Sequence, residues 1–252
     1  MASGPSSFAR VQVDQEWLSL LDTVDFLGAS GKMVLERLQK PTLLDLQRRL
    51  RQTEYHILHY IGHAQFDKTT GEGQLVFEDE MGRSRLVGGQ HLGALMRDHY
   101  GLRLIILAGP TRSQVDTEYR AFLHVARSLV QRGMAAVVAP QFAMPHTAWL
   151  TLMRELYTRI PQLEPVDAAL VQARLHMGQK EGGPYWGAPV LYTRCADGCL
   201  FNDGSLARPQ LPPDVEETLA YRLNSLRIRS ATQEAMQRWG GGRAGSSSNP
   251  RH

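Results

Sequence analysis

Two apolar runs on either side of one amphipathic helix limit this chain more than any other feature. Residues 102–108 (LRLIILA) lie between Gly101 and Gly109-Pro110, the pattern of a strand buried on both faces. Residues 118–132 then carry Tyr119, Phe122, Leu123, Ala126, Leu129 and Val130 on one side, and Gly133 ends the helix. Residues 134–139 (MAAVVA) form a second buried run, closed by Pro140. Strands alternating with helices of this length imply a mostly parallel sheet with helices on both faces.

The rest of the chain fits that frame. Residues 14–27 carry Trp17, Leu18, Leu20, Leu21 and Val24 as a helical stripe, after a Gly/Ser/Pro-rich loop over 1–13. Residues 32–38 read as a strand. Pro41-Thr42 opens a helix, with Thr42 as its cap, Asp45 completing a capping box, and Leu43, Leu46 and Leu50 as its stripe. Residues 55–63 (YHILHYIGH) form an aromatic and aliphatic strand ending in Gly62-His63, followed by a polar loop over 64–73. A short strand is expected at 74–78, a turn at 79–82 and a short helix at 91–97. Two more amphipathic helices are expected at 146–160 and 166–177, and a last strand at 189–193 (PVLYT). The fold class is α/β, a three-layer α/β/α sandwich over residues 14–205. Residues 206–239 are expected to be a Pro-rich linker and a polar helix, and 240–252 a disordered Gly/Ser tail.

At 252 residues the chain can bury one large core. A net charge of +3, from scattered basic residues, gives no basis for a nucleic-acid partner. No apolar run approaches the roughly 20 residues needed to span a bilayer, and the first ten residues lack a signal-peptide layout. The expectation is a cytoplasmic protein with neither membrane nor nucleic acid as partner. The only two cysteines, Cys195 and Cys199, flank Asp197-Gly198, a good hairpin turn pair. They are too few for a zinc site, which needs about four ligands.

His63 is the residue of chemical interest. It stands at the carboxyl end of a strand, the edge at which open α/β sheets bind ligands. A second strand ends at Ala108-Gly109-Pro110, and parallel pairing would bring the two ends together. A histidine facing a neighbouring strand end is the layout of a cysteine–histidine dyad, in which the imidazole orients or deprotonates the thiol. On a helix His56, His59 and His63 would share a face as metal ligands. The run is too β-prone for that and has no carboxylate at ligand spacing.

In order and spacing, YHILHYIGHAQFD, LRLIILAGP, GMAAVVAPQFAM, VDAALVQAR and YWGAPVLYTR closely resemble the CHAT domain of bacteria. This is a caspase- and separase-like cysteine peptidase family with the caspase–haemoglobinase fold, and the resemblance covers residues 14–203. It implies that His63 holds the position of the base, within a Gly-His-Gly motif whose last glycine is here Ala64. It also implies that the nucleophilic cysteine of an Asn-Ala-Cys motif is replaced, since the motif falls on Ala108-Gly109-Pro110. Proline offers neither a nucleophile nor a backbone N–H. Cys195 and Cys199 lie beyond the last strand, so the candidate substitutes are Thr111 and Ser113. The implied cleft comprises Gly62, Ala64, Ala108, Gly109 and Gln141. The expectation is a pseudo-peptidase that takes a peptide or protein partner and needs no metal or cofactor. Related domains begin with an apolar strand ahead of the acidic-Trp helix. Here the chain starts inside the intervening loop, so either the sheet lacks that strand or the start lies upstream.

Overall fold

A computed structural model of the chain describes residues 13–28, 33–109 and 116–201. The chain divides into two compact units, Met1–Gln210 and Leu211–His252, and all the described residues fall in the first. The expected polar helix and tail, and residues 1–12 of the loop expected over 1–13, lie outside the described residues; Val13 belongs instead to the first helix.

The central sheet has four strands, β1 (Ile57–Ile61), β5 (Leu104–Ala108), β6 (Ala136–Pro140) and β7 (Pro189–Thr193), side by side in that order. The first three are parallel and β7 is antiparallel to β6. Each strand of the sheet sends alternate side chains to opposite faces. On one face Ile61, Leu104, Ile106, Ala108, Ala136 and Val138 meet α1 (Val13–Gly28), α5 (His146–Arg159) and α6 (Val166–Glu181). On the other, Tyr60, Ile105, Leu107, Val137 and Ala139 pack with α2 (Leu43–Gln52), α3 (Gly89–Met96) and α4 (Asp116–Gln131). Every residue of β5 and β6 is buried, which is why their sequences run apolar without alternation.

Helix α2 begins as its sequence requires: the Thr42 hydroxyl accepts the backbone N–H of Asp45 at 3.0 Å. Asp45 does not reach back to close a capping box but pairs with Arg48 at 2.9 Å. Helix α1 is held from within the core. The Glu16 carboxylate accepts the indole N–H of Trp149 at 2.5 Å and lies 3.0 Å from Nε2 of His59. His59 Nδ1 is 3.0 Å from the Tyr157 hydroxyl, and the two rings stack. The histidine that shares a strand with the candidate site is thus a core residue, set between α1 and α5.

Several expectations need correction. Residues 33–38 form no strand. Met33 and Leu35 pack on one side of the sheet and Leu38 on the other, so the segment carries the chain from α1 to α2. The stretch 64–73 is not a loop. Residues Ala64–Asp67 form β2, which pairs antiparallel with β3 (Glu72–Glu78), and a further strand β4 (Ser84–Gly88) completes a three-stranded sheet. Tertiary packing overrides the weak strand propensity of β2: Phe66 lies beneath the guanidinium of Arg120 and edge-on to His124 of α4. Strand β3 can approach α4 closely because Gly73 has no side chain; a β-carbon there would stand 2.3 Å from the Ala121 carbonyl oxygen. Nor do Cys195 and Cys199 bracket a hairpin. Both are free thiols in a bend centred on Asp197, whose Oδ1 accepts from Cys199 N and Cys195 Sγ. Gly198 turns there with φ of +69°, its carbonyl accepts the backbone N–H of Val166 at the start of α6 at 2.9 Å, and among the described residues no strand follows to pair with β7 there.

Candidate functional site

The register of β1 on β5 places Ile61 beside Ala108, and the backbone N–H of Gly62 donates to the Ala108 carbonyl at 3.0 Å. The two strand ends singled out from the sequence are therefore joined by a hydrogen bond. Gly62, His63 and Ala64 are all buried, at the bend where the chain leaves the central sheet and enters β2. The bend is fixed from below. The buried hydroxyl of Tyr60 lies 2.8 Å from the His63 carbonyl and 2.7 Å from that of Val76, and Val76 N–H donates to the same His63 carbonyl at 2.9 Å. Burial pushes the Tyr60 phenol far above its ordinary pKa, so it stays a donor.

The imidazole has a partner that sequence reading did not supply. His63 Nδ1 lies 2.8 Å from Oε1 of Glu118, which also accepts the Ala64 N–H at 3.3 Å. A carboxylate can only accept, so Nδ1 carries the proton and a neutral ring has Nε2 as its proton acceptor. Glu118 stands in the first turn of α4, where the helix dipole favours negative charge. The phenol of neighbouring Tyr119 is pushed up to about 12, by burial first and the Glu118 charge second. A histidine whose Nδ1 is held by a carboxylate is an oriented base, its tautomer and ring plane set in advance. One signal could have found Glu118: a helix that follows a parallel strand begins at that strand's carboxyl edge, so its first-turn acids face the site.

The remaining predicted residues separate. Gly109 leaves β5 against α4; a β-carbon there would sit 2.7 Å from the ring of Phe122. Gln141 follows β6 on the same sheet edge, but its amide donates to the Gly187 carbonyl at 2.6 Å and its backbone N–H to Ala188. It acts as a tie to the segment before β7. Pro110, Thr111 and Ser113 lie outside the described residues. Among the described residues no group of three or more His, Cys, Asp or Glu could hold a metal ion, and His56 meets the ring of Phe201 instead. No helix among them is long and apolar enough to cross a membrane.

A mostly parallel sheet between two helical layers, with a carboxylate-held histidine where one strand meets its neighbour's end, defines a caspase-like three-layer sandwich. Comparison with known families agrees. The family model described as CHAT domain matches residues 7–239, and the chain belongs to that family. It is accordingly a module of a caspase-like peptidase family. No curated protein matches the chain.

Proposed function

We propose that this CHAT domain binds a peptide or a segment of a protein partner at the carboxyl ends of β1 and β5 without cutting it. One observation carries the reading. The Gly62–Ala108 hydrogen bond sets His63 against a strand end that runs, two residues on, into Pro110 rather than a cysteine. Loss of the nucleophile alone lowers turnover by about 10⁶-fold in a serine protease. The base would then persist as part of the cleft wall, its ring held by Glu118. The test is to incubate the purified protein with a peptide library and follow retention and fragment masses together. Binding without new fragments is expected; turnover that His63→Ala abolishes would overturn the proposal.

The His63–Glu118 pair also supports a second reading, because an oriented base is of use to a nucleophile. In it, Thr111 or Ser113 passes its hydroxyl proton to His63 Nε2 and attacks the peptide carbonyl. A fluorophosphonate probe separates the two readings. Labelling lost in Thr111→Ala or Ser113→Ala favours the hydrolase, and no labelling favours the binding module.

A further inference from the structure

The carboxyl edge of the sheet has a second point of chemical interest, far from His63. Pro140 pairs with Pro189 where β6 ends and β7 begins. Against this point stands Arg174 of α6, whose Nη2 donates to the Pro189 carbonyl. Its Nε is buried and meets no acceptor, and among the described residues no carboxylate lies within ion-pairing distance of it. The contrast with Arg159 is direct: its Nε is also buried without an acceptor, but Glu155 and Glu164 answer its charge at 3.7 and 3.2 Å. One exposed aromatic stands against the same helix. Trp186, 57% exposed, packs one turn further along α6, where a β-carbon on Gly178 would lie 3.6 Å from its own. Burial lowers the pKa of Arg174, a sign of charge left without compensation.

We infer that Arg174, with Trp186 one helical turn further along α6, takes an acidic side chain of the bound peptide. A guanidinium already fixed through one N–H presents its remaining donors in the planar fork that suits a carboxylate. Arginine and tryptophan are also the residue types enriched among energetically dominant contacts. The strand registers define the spacing. Ile61 lies beside Ala108, the β5–β6 offset carries that row to Pro140, and Pro140 meets Pro189. Three strand spacings of about 4.8 Å make roughly 14 Å, a span of about four extended residues. The acidic residue would therefore sit about four residues from the one resting at His63.

This inference rests on the peptide-binding reading above and names the ligand's chemistry. The test uses the full chain and fluorescein-labelled decapeptides with Asp or Glu scanned through each position, against Asn and Gln counterparts. Wild-type protein should favour the acid at one position by at least tenfold, and the preference should weaken with added salt. Arg174→Gln should abolish the preference while leaving the neutral peptides bound as before, and Arg174→Lys should retain part of it. Equal binding of acidic and neutral peptides by the wild type would overturn the inference and leave the binding module standing; this arm needs no variant. Loss of acidic and neutral binding alike in a folded Arg174→Gln protein would also overturn it. Absence of any peptide binding by the wild type would remove the underlying reading.

Discussion

Glu16 supplies the sharpest test of how the fold is held. Its carboxylate is buried between α1, β1 and α5, accepting from Trp149 at 2.5 Å and standing 3.0 Å from His59 Nε2. Glu16→Leu keeps most of the side-chain volume, so little cavity forms, but leaves the indole N–H without an acceptor and the imidazole without its counter-group. Leaving a buried donor without its acceptor is destabilising by about 1–3 kcal/mol. At roughly 2–4 °C per kcal/mol for a domain of this size, the melting point should fall by about 2–12 °C. Urea titration followed by tryptophan fluorescence and by circular dichroism measures the loss; the environment of Trp149 should change in the folded baseline as well. The double variant with His59→Leu should lose less than the two single losses summed, with a coupling energy of about 1 kcal/mol or more, because the imidazole then no longer faces a missing carboxylate. Should Glu16→Leu shift the midpoint by less than the equivalent of about 0.5 kcal/mol, the size of an ordinary surface change, the argument for a buried tie would be refuted.

Three further outcomes follow from the same geometry. Glu118→Gln should leave the fold intact while loosening the Nδ1–H tautomer of His63, visible in ¹⁵N NMR of the imidazole as a shift of the tautomer signature; unchanged ring nitrogens would show that Glu118 does not orient the base. Gly73→Ala drives a methyl to within 2.3 Å of the Ala121 carbonyl oxygen, and since backbone must move, a loss at or above the usual overpacking range of about 1–3 kcal/mol is expected in chemical denaturation. His146 has its pKa lowered by burial, with the Glu16 charge opposing. A depressed histidine pKa favours the neutral form when folded, so stability is intact above the unfolded value of about 6.5 and declines as pH falls toward the folded one. His146→Asn should flatten that limb of the stability–pH curve, and an unchanged limb would discount the histidine as its source.

The central strands and their covering helices could be read from the chain because their signals are local. Residues 102–108 and 134–139 are apolar on both faces, and α4 repeats its apolar positions every three to four residues. Those patterns follow from burial on both sides of a sheet or on one side of a helix, whatever the neighbours are. His63 was legible for a related reason: a strand's carboxyl end is marked by where its apolar run stops. The residues that give His63 and His59 their settings were not, since Glu118 is 55 positions from one and Trp149 is 133 from Glu16. An ion pair leaves no periodic trace, and only the packing of α4 and α1 brings such groups together. Strands β2 and β4 escaped notice likewise, being half-exposed and polar; β2 holds its place through β3 and the face of α4 that covers it. The sequence by itself determined the parallel sheet, its two helical layers and the strand end that bears the histidine. The tertiary structure decided what that histidine touches, because a contact between distant segments is set by how the layers stack, which no local pattern encodes.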